Sequence, residues 1–350
     1  MKKLGFMTAV AALCISPTLA IAQDAADRWK QGDQWNLVFG SATATGSYFA
    51  GMSAVATMLS QKMDNVIATA TVSPNTTTEV YPQMVRGERV GGVASQDLLD
   101  AYEGSNAWEG RKIPVRGWSL VQEGFFNIFV RKSLGITKVS ELADSGARIA
   151  AACVPPEPGN PQRWDQPFTF FNTLMEAHGL DAFEDVTVVP YCTSQAIEQL
   201  GAGNIDGMSH TRGLGGGAIR ELMTKQDLVL LQPDEDAVAK ITSEYPVYIK
   251  DVPTDVYPEL EIPEPGIGFF HGVYFFLHED LPDELVYDMT KTLFENLDVL
   301  RNAHPAYKGL TVEEALKGMP IPPHPGALKY YKEVGVPGAE DFAAASSPEK

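Results

Sequence analysis

Cysteine is scarce, with three in 350 residues, too few for the multiply bridged frameworks of small secreted domains, and no C-x-x-C pair offers a zinc or redox site. Positive charge is scarce too. Lys and Arg number 27 against 45 Asp and Glu, a formal charge of -18, which makes a poor surface for nucleic acid or an anionic membrane. Beyond the N-terminus no apolar run approaches the roughly 20 residues of a membrane span. The G-x-S-x-G elbow, the H-E-x-x-H zinc helix and the Walker lysine are all missing, and the six histidines show no ligand spacing. No catalytic residue, metal or cofactor is therefore expected, and nucleic acid is not an expected partner.

What is present begins with Lys2 and Lys3, followed by an apolar stretch over residues 4–22 that ends in Ala20-Ile21-Ala22. A basic start, a short apolar core and a small-x-small site read as a signal peptide cut before Gln23. Ser16, Pro17 and Thr18 interrupt the stretch too early for a membrane anchor. Export would place the remaining Cys153 and Cys192 in an oxidising compartment. There they pair if their Cα atoms lie within about 7 Å, or they stay as two buried thiols. Each closes an apolar strand-like run, residues 148–153 and 186–192.

Short apolar runs alternate with helical segments, the pattern of an α/β fold of mostly parallel sheets with helices on their faces. Residues 35–40 read as a first strand. After a loop of small polar residues, Phe49, Met52, Val55, Ala56 and Leu59 recur at the spacing of one helix face. Further strands are expected over 89–94, 148–153, 186–191 and 205–209, with helices over 168–178 and 193–200. A single amphipathic helix is expected over 283–300, where Leu285, Val286, Met289, Leu293, Leu297 and Leu300 form a stripe. No linker separates the halves, which implies two lobes joined by strands that cross between them.

In open α/β sheets ligands settle beyond the carboxyl ends of strands, where helix N-termini present free amides. That rule selects the loop carrying Ser41, Thr43, Gly46, Ser47 and Tyr48, although Thr45 or Ser47 would serve equally as an ordinary helix cap. It also selects Thr76 and Thr77, where a solvated turn is the plain alternative, and Ser95-Gln96-Asp97 at a strand end. In the second half, Trp164-Asp165-Gln166 precede a helix that Pro167 suits to a first turn, and Trp164 either stacks on a ligand or packs in its lobe. Thr211 and Arg212 follow a strand. The Arg212 guanidinium fits a carboxylate, or pairs with a surface acid.

Several of these stretches resemble one known family. Gly87-Glu88-Arg89-Val90-Gly91-Gly92-Val93-Ala94-Ser95-Gln96-Asp97 is similar to the GEADLGIVQSD pattern of the TAXI-type receptors of TRAP transporters. Gly203-Asn204-Ile205-Asp206-Gly207 resembles their GQIDA segment. Residues 321–335 resemble the ending IPLHPGAxRYYxExG, and His304-Pro305-Ala306 matches another piece. The resemblance runs from about Leu37 to Gly335.

It implies a monomeric, two-lobed periplasmic binding protein whose lobes close on a small organic, carboxylate-bearing ligand, an amino acid or organic acid, and which docks on a membrane permease. Implied organisation is a signal peptide over 1–22, lobe one over 23–128, lobe two over 129–265, a return to lobe one over 266–335 and a flexible tail over 336–350. Hinges are expected near 127–130 and 266–270. Carried over by position, Ser41, Thr43, Ser47, Tyr48, Thr76, Thr77, residues 95–97 and 164–166, Thr211 and Arg212 would touch the ligand. Two departures stand out: Thr76-Thr77-Thr78-Glu79-Val80 replaces a glycine-rich GGSxEN, and Trp164-Asp165-Gln166-Pro167 replaces a glycine-serine-glycine-threonine loop. Asp165 brings a negative charge where relatives have neutral groups. A secreted α/β enzyme on the same scaffold, or a ligand-presenting partner of a membrane sensor, are the competing readings.

Overall fold

The computed structural model describes residues 27–41, 47–73, 76–95, 97–105, 108–160, 164, 166–212, 217–245 and 247–345. The expected signal peptide lies outside them. Among the described residues no helix is long and apolar enough to cross a membrane.

The strands are β1 (Lys30–Gln31), β2 (Gln34–Ser41), β3 (Val66–Val72), β4 (Gly91–Ala94), β5 (Val115–Arg131), β6 (Arg148–Ala152), β7 (Thr187–Pro190), β8 (Gly207–Arg212), β9 (Leu228–Leu230), β10 (Tyr248–Asp251) and β11 (Ile267–His278). The helices are α1 (Ser47–Lys62), α2 (Tyr81–Val85), α3 (Asp97–Glu103), α4 (Gln166–Ala177), α5 (Thr193–Ala202), α6 (Gly217–Lys225), α7 (Glu235–Glu244), α8 (Asp283–Glu295), α9 (Leu297–Ala303), α10 (Pro325–Val334) and α11 (Ala339–Ala345). All the strands join one sheet in the order β1-β2-β4-β11-β5-β8-β6-β7, with β3 beside β2, β10 beside β11 and β9 beside β5. The fold is mixed α/β, a large central sheet flanked by helices. Parallel pairing holds within two groups, β3-β2-β4 and β7-β6-β8. The long antiparallel pair β5 and β11 connects them.

Side chains on that pair divide the interior. On one face Trp118 and Val121 of β5, with Val273 and Phe275 of β11, share a core with α1, α8 and α10, whereas Phe126, Ile128 and Phe269 belong to a second core with α4. On the other face Leu120 and Tyr274 sit in one core, and Phe125, Phe129 and Phe270 in another. Both divisions fall at residues 122–124 of β5 and 271–272 of β11. Beside the expected boundaries at 128/129 and 265/266, Phe125, Phe126, Ile128, Phe269 and Phe270 pack with the second half. Residues 127–130, expected as a hinge, lie inside its cores.

Two glycines let rings lie close over the crossing. A Cβ at Gly124 would fall on the His271 imidazole, and one at Gly272 on the Tyr274 phenol, so only glycine admits these rings over the backbone.

Helix α1 buries Met52, Val55, Ala56 and Leu59, the stripe its periodicity predicts. The single helix expected over 283–300 is instead two. It breaks at Asn296 (φ -127°, ψ 31°), whose side-chain amide donates to Thr292 O at 2.8 Å, a local bond that competes with the helix ladder. The strand expected over 205–209 sits two residues later, as β8, where pairing with β5 sets its register. The tail also begins later than expected, since Val336 and Ala339 are buried in the first core and α11 follows. His304-Pro305 and His324-Pro325 each open a helical turn: Nδ1 of His304 accepts from Ala306 N–H (3.1 Å) and Nδ1 of His324 from Gly326 N–H (3.2 Å).

A buried polar chain ties β5 to the outer helices. Trp118 Nε1–H donates to Thr290 Oγ1 at 2.9 Å and that hydroxyl donates to Val286 O at 2.6 Å. Thr290→Val keeps the shape but strands the indole N–H in an apolar core, a loss of about 1–3 kcal/mol. Chemical denaturation should show it, and a variant as stable as the parent would contradict this role for Thr290.

Candidate functional site

Strand direction brings the two groups of carboxyl ends face to face. Ala94, the last residue of β4, lies opposite Tyr274 of β11, and Arg212, the last of β8, lies opposite Phe125 of β5. Phe125 in turn pairs with Phe270. Only residues 271–273 of β11 thus separate the two rims, and the crossing forms the floor between them.

On the first rim Ser41 ends β2, buried, with no hydrogen-bond partner for its hydroxyl among the described residues; its carbonyl accepts from Ser73 N–H. Ser47 and Tyr48 open α1. The Ser47 carbonyl is tethered by the Tyr307 hydroxyl at 2.6 Å, and Tyr48 packs against the first core. Thr76 begins a π-helical turn, Thr76–Val80, and donates through Oγ1 to Val93 O (3.1 Å). Pro82 stands in the first turn of α2, which spans only five residues. Ser95 is buried and its N–H donates to Asp97 Oδ1 (3.2 Å), so the acid that opens α3 also braces the strand end. Thr43, Gly46, Gln96 and the Thr77 side chain lie outside the described residues.

The second rim is built from the ends of β6, β7 and β8 and the starts of α4 and α5. Cys153 follows β6, Cys192 follows β7, and the two are joined by a disulfide with Cα atoms 4.3 Å apart. Parallel pairing of Ala152 with Pro190 brings them together. Cys153 and Cys192 line a depression together with Ala152, Pro167, Thr193 and Ser209. Thr211 and Arg212 end β8 rather than following a strand. Their side chains, that of Gln166, and Asp165 are outside the described residues. Trp164 packs on Phe168 and Phe183, with centroids 5.1 and 5.8 Å away, and its indole N–H donates to Glu157 O.

Residues that the sequence did not single out complete the picture. Tyr245, packed on Phe126 and Phe170 in the second half, has its phenol pushed up by burial and then by the charges of Asp100 and Asp97, which belong to α3 of the first half. The Tyr81 phenol is raised first by burial and next by Asp97. The charges of Asp97 and Asp100 thus act on phenols of both halves. Ser209 is the last residue of the strand expected over 205–209, although the residues after it were the ones selected; Tyr245 carried no signal. At the crossing, Glu123 accepts from Tyr248 (2.6 Å) and Lys250 (2.6 Å) of β10 and from Lys317 (3.2 Å) of the first half. Burial acts to raise its carboxyl, but the bonds from Lys250 and Tyr248 outweigh this and hold it below the ordinary range. Among the described residues no group of three His, Cys, Asp or Glu could hold a metal ion.

This geometry defines a mixed α/β protein in which two sets of strand ends face each other across the β5–β11 crossing. The chain belongs to the NMT1-like family, which matches residues 39–335. Among solved structures it is similar to the periplasmic binding protein BugD (16% identity, 89% of this chain and 97% of that one, TM-score 0.49). It is also similar to a TctC solute-binding protein from Polaromonas (13%, 77% and 86%, 0.44) and to a TRAP periplasmic solute-binding protein from Rhodobacter sphaeroides (12%, 89% and 83%, 0.41).

Proposed function

We propose that this protein is an exported, periplasmic solute-binding receptor of the TAXI type. It captures a small carboxylate-bearing organic molecule between two lobes and delivers it, as a monomer, to the membrane permease of a TRAP transporter. The observation that carries the proposal is the facing of two independent sets of strand ends across a crossing only three residues long. The stretches at 87–97, 203–207 and 321–335 that resemble TAXI receptors support the finer assignment. Serine hydroxyls and helix starts on both rims bind and orient a ligand.

Closure follows from the divided interior. Each half keeps its own cores, so the halves move as bodies and the bending falls on residues 122–124 and 271–272. Contacts from both rims favour the closed form by their differential affinity. Glu123, bonded to Lys250 on one side and Lys317 on the other, spans the pivot.

Native mass spectrometry of protein purified without denaturation should reveal a bound small molecule. When that compound is restored to stripped protein at about 100 times its Kd, the fold should gain about 2.7 kcal/mol. The radius of gyration from X-ray scattering should fall at the same time. Tight binding with an unchanged radius, or conversion of the compound into a product, would refute a closing receptor.

A further inference from the structure

We infer that the Cys153–Cys192 bridge is a thiol–disulfide exchange site for a dithiol reductant, with the Cys192 sulfur as the atom attacked and Cys153 as the thiol released. The inference concerns the bridge alone and does not depend on what the two rims hold. Parallel pairing of β6 and β7 sets both cysteines at strand ends, but their surroundings differ. Cys153 is half-buried, whereas Cys192 is exposed, and so are Ser194 and Gln195 in the first turn of α5 beside it. Exchange requires a thiolate to reach a sulfur, so an exposed bridge is the labile kind, and access directs the attack to Cys192.

Position on the helix favours release. Cys192 is the N-cap of α5, a helix of 10 residues, and makes no side-chain cap bond. Once free, its sulfur carries negative charge at the positive end of that helix, and a thiolate stabilised in this way leaves readily. The exchange balances in two steps. A thiolate of the dithiol attacks Cys192 Sγ, the bond to Cys153 breaks, and Cys153 leaves as a thiolate that takes a proton from solvent. The second thiol of the reductant then loses its proton and attacks the first sulfur, expelling Cys192 as a thiolate. Two electrons have passed to the bridge, and the reductant departs as a disulfide. The fold outlasts the change, because β6 and β7 stay paired at Arg148–Thr187, Ile149–Val188 and Ala150–Val189, and Ala196 and Leu200 keep α5 in its core. What reduction frees is the start of α5 on the second rim.

Dithiothreitol added to the full folded chain, with released thiols labelled by iodoacetamide and located by peptide mass mapping, tests the site. The bridge is expected to open without denaturant while the far-UV circular dichroism stays unchanged. At about pH 6.5 Cys192 should be labelled about tenfold faster than Cys153. Reduced thioredoxin, a dithiol carried on a protein, is run beside dithiothreitol at equal concentration. Faster opening by thioredoxin assigns the reductant to a protein, and faster opening by dithiothreitol assigns it to a small molecule. Oxidised glutathione should form a mixed disulfide on Cys192 in Cys153→Ser about tenfold faster than on Cys153 in Cys192→Ser. A bridge that opens only in urea, labelling of the reduced parent that favours Cys153 or treats the two alike, or a fold lost on reduction would each overturn the inference.

Discussion

Replacing Cys153 and Cys192 together with serine should cost the protein about 4 kcal/mol, the chain entropy released when a loop closed across 39 residues is opened. For a chain of this size that lowers the melting temperature by roughly 5–10 °C. The bridge joins β6 to the start of α5 in the second half, so hydrogen exchange should rise there first and leave the β2-β3-β4 group protected. Scanning calorimetry of the double variant beside the oxidised parent decides the matter. A melting point equal to the parent's would mean that the unfolded chain is already restrained over this stretch.

Acidification should produce an effect as large. Burial holds His271 and His324 neutral, with pKa values lowered to about 4. His271 lies over Gly124 and against Phe126. His324 needs a bare Nδ1 to cap Gly326, and the Arg116 charge adds to the depression of its pKa after burial. In the unfolded chain both would protonate near pH 6.5. Between those values the unfolded state binds the extra protons, so stability falls as the pH drops from about 6.5 to 4.

By pH 5 each histidine should have removed about 2 kcal/mol. The carboxylates held low by their partners, Glu123, Asp206 and Asp234, lose their contribution only as the pH passes below their ordinary range near 4, so the two effects separate. Urea unfolding at pH 7 and pH 5 measures the first. His324→Asn retains an acceptor for the Gly326 amide and should recover about 2 kcal/mol of the loss at pH 5. An identical loss in that variant would show that His324 is not a source of the acid sensitivity.

Elements with one buried face were legible in the sequence. The stripe from Met52 to Leu59, the β2 run and the starts of α4 and α5 carry local periodicity, and each falls where pattern alone puts it. The joining strands did not. Residues 115–131 and 267–278 are buried on both faces, so no alternation marks them, and the bulges between Val273 and Tyr274 and between Phe275 and Phe276 blur what remains. The rims were partly legible because strand ends and helix starts need polar residues: Ser41 ends β2, Ser95 follows β4, and Ser47 and Asp97 open α1 and α3. An aromatic beside a helix start, such as Trp164, reads the same whether it meets a ligand or Phe168.

The division of β5 and β11 between both halves also bears on biosynthesis. The first group of strands cannot be completed until residues 273–277 have left the ribosome to sit between β4 and β5, and its helices α8 and α10 arrive later still. A chain whose earliest strands must wait for its last quarter stays open during translation. A nascent polypeptide of that kind remains threadable until synthesis is nearly finished.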